Sequence, residues 1–284
     1  MIGKFNFYDI YGYFLPGLLL LTLLYVPWGL VHRFVPAGGE LSSALIGIPL
    51  AYIVGQVVQA FALRAFPSTR KQGRYPSDMI LDETDKTFSP SFKLNLAQRV
   101  EESFDLNVSS VEERADAFFL CRSSLIKRDG VSYGEQFEGM YALMRGLMAA
   151  FLIGGVYTVG YVVSVFTPPS RTIAVILLIA ALGAVLGCEF TTDHVRTGRG
   201  PLIKCLSWVL FVLVFSSVGY LLGSMRELVT SDLSSGLLVI ALADFVLARK
   251  CYQSYKAFAR EFATAIYRDF YGVKQTERPK AIVT

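Results

Sequence analysis

The chain has 284 residues, 53% of them hydrophobic and 18% charged, with a formal net charge of +4. An ordinary soluble domain carries roughly 25% charged residues, and this much apolar surface cannot all be hidden in one soluble core. A single soluble globule is thereby excluded, and the sequence reads as all-α, a polytopic transmembrane helical bundle.

Residues 5–17 are dense in aromatic rings. Such rings favour the headgroup level of a bilayer, so this stretch is expected to lie in the interface and turn into the membrane at Pro16 and Gly17. Apolar runs follow at 11–31, 43–63, 142–166, 172–190 and 205–223, with a shorter one at 233–248. The longer runs approach the length a helix needs to cross about 30 Å of hydrocarbon. The first is too long and too aromatic for a secretory signal and has only Lys4 before it, so it is expected to stay on the mature protein.

Cations cluster after alternate runs. Arg64, Arg70, Lys71 and Arg74 follow the second; Arg196, Arg199 and Lys204 follow the fourth; Arg249, Lys250, Lys256 and Arg260 follow the sixth. The intervening loops are poorer in them. Because basic loops stay on the cytosolic side, six spans with both termini cytosolic are expected. The sixth run is short and interrupted by Asp244, so five spans plus an interfacial helix is the rival arrangement. Four segments result: 1–63 with two spans, 64–140 as a cytosolic helical insert, 141–248 with the remaining spans, and 249–284 as a cytosolic basic and aromatic helix with a loose tail.

The insert holds eleven lysines and arginines against thirteen acids. It lacks the concentrated positive surface that nucleic acid requires. Residues 67–90 read as an irregular linker, and 90–106 as a short amphipathic helix. Ser110 and Glu113 stand at capping-box spacing and open a helix through about Lys127, ended by Asp129 and Gly130. Residues 133–140 begin a helix that runs into the third span. In 249–271, Tyr252, Tyr255, Phe258, Phe262, Ile266 and Phe270 recur at three- and four-residue steps, with Arg260 among the interleaved cations. Such a helix can lie on anionic lipid, pair with a neighbouring subunit or pack on the insert.

Inside the spans, Gly47, Ala51, Gly55 and Gln59 stand four apart, and Gly183 with Gly187 and Gly219 with Gly223 repeat the spacing. Small residues let helices approach closely in lipid, within one subunit or in a homo-oligomer. Gln56 and Gln59 are expected to seek partners. Asp244 is an acid within an apolar run, where an ionisable group faces a partner or a cavity; Arg145 is the candidate partner, and an ion or proton role is the alternative.

Cys121, Cys188, Cys205 and Cys251 form no CxxC pair and read as free thiols. His32 and His194 fall on opposite sides of the membrane and cannot share a metal. The acids of 82–85 lack an EF-hand pattern and read as a solvated loop. With no P-loop, nucleophile elbow, zinc helix or CxxC site, no enzyme, cofactor or metal is expected.

The motifs YGYFLPG at 11–17, YIVGQVVQ at 52–59 and FFLCR at 118–122, with the closing helix, resemble a group of bacterial polytopic inner-membrane proteins found near defence genes. That resemblance implies a membrane effector and carries over no site residues. The leading expectation is a non-enzymatic homo-oligomer whose cytosolic helices receive a protein partner or ligand signal and whose spans alter permeability. The alternatives are a small-solute or ion transporter using Asp244, Gln56 and Gln59, and a membrane anchor for a soluble partner.

Overall fold

A computed structural model describes residues 8–32, 40–65, 76–126, 133–166 and 231–276. The runs 172–190 and 205–223 lie outside the described residues, and with them Gly183, Gly187, Gly219, Gly223, Cys188, Cys205 and His194, as does the tail from 277.

All regular elements among the described residues are helical. One π-helical turn (Asp9–Phe14) leads into α1 (Leu15–His32), followed by α2 (Glu40–Ala65), α3 (Pro76–Met79), α4 (Pro90–Phe104), α5 (Val111–Ile126), α6 (Tyr133–Phe166) and α7 (Ser231–Thr276). Helix α7 joins the 233–248 run to the aromatic tail helix without a break, because nothing near Arg249 and Lys250 interrupts helical backbone. Among the described residues, three stretches are long and apolar enough to cross a membrane: Asp9–Pro27, Ile46–Leu63 and Gln136–Val163. The run containing Asp244 is not among them.

The chain divides into two compact units, Met1–Pro67 with Ala142–Ser254 and Ser68–Tyr141 with Tyr255–Thr284. Segments 64–140 and 249–284, separate in the sequence reading, thus contribute mainly to one unit.

In the first unit, α1 and α2 meet backbone to backbone. A Cβ on Gly17 would collide with the carbonyl oxygen of Ala51, and one on Gly55 with that of Tyr13. Ala51 between them is fully buried. Gly47, which the four-residue spacing placed in the same contact, has nothing within 4 Å of its Cβ position among the described residues; the close approach ends one turn short of it. Leu20, Val58 and Ala62 then pack with Met148, Ala149, Leu152 and Ile153 of α6, and with Ala248 and Cys251 of α7. Of Gln136–Val163, 78% is buried, against 28% of Ile46–Leu63, so α6 is the central helix and α2 a peripheral one. Ile46, Ile53 and Val57 on α2, and Val239, Leu242 and Val246 on α7, are exposed aliphatic side chains.

The second unit is built by local hydrogen-bond rules. Ser89 caps α4, its Oγ accepting the Phe92 N–H at 3.3 Å, with Pro90 where no amide is needed. Asp105 ends the helix in the left-handed region at φ 52°, and its N–H reaches the Glu101 carbonyl at 2.8 Å. At α5 the capping box forms: the Glu113 N–H donates to Ser110 Oγ at 3.2 Å, and the Ser110 N–H donates to the Glu113 carboxylate at 2.8 Å. Leu96, Val100, Ala117, Phe118, Cys121 and Leu125 bury against Ala263, Ile266, Tyr267 and Phe270 of α7. Burial pushes the Cys121 thiol up to about 12, which keeps it a thiol and unreactive.

The loop at 82–85 is not the solvated acidic stretch that its composition suggests. Asp82 accepts the Thr84 N–H at 3.0 Å, its hydroxyl at 2.8 Å and Arg114 Nη1 at 2.9 Å. Asp85 accepts the Thr87 N–H at 2.7 Å and Arg260 Nη2 at 3.1 Å. The Lys93 ammonium donates to the carbonyl oxygens of both Asp82 and Asp85. The cations that meet this loop belong to the chain itself, and they hold it onto α4, α5 and α7.

Two outcomes follow from this packing. Gly55→Ala forces the π turn from α2 at Tyr13 and should cost at least about 1–3 kcal/mol, read as a lower melting temperature of the purified protein in detergent. The Thr84 N–H first, then its hydroxyl and Arg114, hold the Asp82 carboxyl well below the usual carboxylate range. Its contribution to stability is therefore complete above about pH 4, the unfolded value, and fades as pH falls toward the folded value. Asp82→Asn should lower the unfolding temperature at neutral pH, and that deficit should shrink on acidification; a deficit constant with pH would refute it.

Candidate functional site

The residues that carry chemistry in the first unit start from Pro16. Proline has no N–H, so the carbonyl four residues earlier, that of Gly12, lacks its α-helical donor. The backbone widens there into the π turn, with the Leu15 N–H reaching back to Ile10, and the Gly12 carbonyl receives a donor from elsewhere. Gln59 Nε2 of α2 donates to it at 2.6 Å and also to the Ala142 carbonyl of α6 at 2.7 Å. Gln59 Oε1 accepts the Arg145 Nε–H at 2.9 Å. Both N–H groups and the oxygen of this amide are thus engaged.

Gln59 is 2% exposed and Arg145 is 4%. Gly146 makes room for the arrangement, since a Cβ there would stand 2.5 Å from the Pro16 ring and 2.6 Å from Gln59 Nε2. One side chain therefore ties the π turn, α2 and α6 together inside an apolar cluster, and it orients a guanidinium there. The sequence signal for it was a proline inside a helical run facing a glutamine on the next helix. The sequence reading takes Pro16 and Gly17 as a turn into the membrane and gives no expectation for Gly146.

The proposed pairing of Arg145 with Asp244 does not form. Asp244 lies against Gly155, whose Cβ position is 3.3 Å from the Asp244 Cβ. Gly155 is ten residues from Arg145 along α6, about 15 Å of helical rise, and Arg145 is turned to Gln59. Gln56 differs from Gln59 as well: three residues back on α2, it points to the exposed side.

Of the residues read as lipid or partner contacts, Tyr255 is buried, Tyr252, Phe258 and Phe262 are half-buried, and Arg260 is exposed. Tyr255 is 1% exposed, stacks on Tyr141 with ring centroids 4.7 Å apart, and the two hydroxyls lie 3.1 Å from each other. Phe262 meets Phe118 edge-on at 5.7 Å, and Phe258 lies 6.4 Å from Phe137. Arg260 holds Asp85 and Thr87. Tyr252 packs beside the core of the first unit. The aromatic period of α7 is satisfied within each unit, which leaves these five residues engaged by the chain itself. Among the described residues no group of three His, Cys, Asp or Glu side chains converges as a metal site.

Replacing Gln59 with Leu leaves Arg145 Nε and the Gly12 carbonyl without their buried partner. This should cost about 1–3 kcal/mol, measured as a fall in melting temperature in detergent. Gln56→Leu, on the exposed face, should leave that temperature unchanged; equal effects would refute the difference between the two glutamines.

Comparison with known proteins adds no assignment to these residues: no protein-family model, curated protein or solved structure matches this chain.

Proposed function

We propose that the chain is a non-enzymatic, oligomeric membrane protein of six spans, a defence-type effector whose cytosolic helices receive a signal and whose bundle alters permeability. The observation that supports it most is the exposed side of α7. Leu238, Val239, Leu242, Val246 and Leu247 are exposed, and Arg249 and Lys250 are exposed directly after them. An aliphatic surface that gives way to cations within two residues is what a helix presents where it leaves hydrocarbon on the cytosolic side. From Ser231 to Ala248 the helix rises about 27 Å, close to the hydrocarbon thickness, which favours the sixth span over an interfacial helix. In water these side chains would form an apolar patch of the kind monomeric soluble proteins avoid.

The effector reading also draws on the second unit. Its charged and aromatic groups close on one another, as in Arg122 Nη2 lying 2.7 Å from both Glu138 oxygens, which supports a folded module that can take up a partner. The transporter reading needs Gln56, Gln59 and Asp244 in one site. Gln59 is engaged by backbone and Arg145, Gln56 is exposed and Asp244 of α7 lies against Gly155, so the three residues that reading needs are not gathered in one site.

The test is flux. Full-length protein in liposomes of bacterial lipid should release a trapped small dye once cytosolic extract from stressed cells is supplied, and particle mass in nanodiscs should exceed one chain. A tight vesicle under all such conditions together with a monomeric mass would overturn the reading.

A further inference from the structure

The inward side of α7 carries Leu237, Ala241, Asp244, Ala248 and Cys251, all buried, at alternating steps of four and three. That is the spacing of a helix seam, and Asp244 is its single ionisable carboxyl. It is 3% exposed, and its Oδ2 is buried without a hydrogen-bond partner. Opposite stands Gly155, and the Phe245 ring closes the same position 3.3 Å from the Gly155 Cβ site.

An ionised carboxyl that is buried and unpartnered is the costliest state such a group can occupy, and it is relieved by taking a proton. The charged and titratable groups on the surrounding helices offer no nearby cation among the described residues. On α6 they are Tyr157 and Tyr161, with Arg145 about 15 Å away and bound to Gln59. On α1, which meets α6 next to this point through Leu23 at Gly154, there is Tyr25; on the described stretch of α2 at 46–63 there is Tyr52. Arg249 and Lys250 on α7 itself point outward.

We propose that Asp244 is a proton-binding site of the helical bundle, holding its proton where α7 packs on Gly155. A metal cation fits less well. It needs several oxygen ligands, and the buried carboxyl has no such cluster around it among the described residues. The proposal does not depend on the effector reading, because it rests on burial within the first unit whether or not the bundle conducts.

The experiment uses the full chain in nanodiscs and dicyclohexylcarbodiimide, an apolar reagent that couples to protonated carboxyls. Mass spectrometry should find the adduct on Asp244 at about pH 7, with labelling that falls as pH rises further and is absent in Asp244→Asn. Labelling confined to acid below about pH 5, or blocked by sodium or potassium ions at constant pH, would overturn the proposal. Thermal unfolding gives an independent reading. Asp244→Asn keeps the size of the side chain and cannot ionise, so raising pH from about 5 to about 8 should lower the wild-type melting temperature by several degrees relative to that variant. Parallel curves would overturn it.

Discussion

The amide of Gln59 is the contact on which the first unit depends. A proline at position 16 deprives the Gly12 carbonyl of its helical donor, and a buried carbonyl without a donor is unfavourable anywhere and most of all in lipid. Gln59 supplies the donor at 2.6 Å, reaches Ala142 with its other N–H at 2.7 Å and takes Arg145 on its oxygen. The glycines follow from this requirement. Gly17 and Gly55 let α1 and α2 approach to backbone distance, and Gly146 leaves space for the amide and the Pro16 ring. Polar satisfaction and small-residue packing are here one device: the helices can come close because they lack side chains at the contact, and they must come close for one side chain to reach three of them.

The second unit is held on other terms. Its core is aromatic, with Phe118 meeting Phe262 and Tyr267, Phe104 stacked on Phe270, and Phe92 tilted against Tyr271. Its surface is fastened by charge. Arg99 lies over the Tyr271 ring at 4.2 Å while donating to that residue's carbonyl at 2.8 Å, and Arg114 and Arg260 each hold an aspartate of the 82–85 loop. Lys93 fills the middle of that loop with its own ammonium. These groups anchor loop to helix, so Asp82 and Asp85 of a stretch that reads as a solvated loop are engaged within the unit.

Helix α7 serves both units with different faces. Its first half buries small and apolar residues with Asp244 among them and exposes aliphatic side chains; its second half buries Tyr255, Ile266, Tyr267 and Phe270 and exposes charge. The sixth span proposed above accounts for that pattern as a change of solvent along one unbroken helix. The proton proposed for Asp244 belongs to the same helix, on the side where no solvent reaches.

The capping box at Ser110 and Glu113, the start of a helix at Pro90 and the long apolar helices were legible in the sequence, because each depends on residues within a turn or two of one another. The charge of Arg145 and the amide of Gln59 were legible as groups in need of partners, but not which partners. Arg145 and Gln59 are 86 residues apart in the chain, and their meeting was decided by how α2 and α6 pack. Tertiary structure likewise chose the chain's own aromatic core for the rings of α7, which periodicity alone left free to face lipid, a neighbour or the insert. It also removed Gly47 from the α1–α2 contact and turned Asp244 to Gly155. Local periods determine what a helix can bury; only the packing of distant helices decides what each buried group finds there.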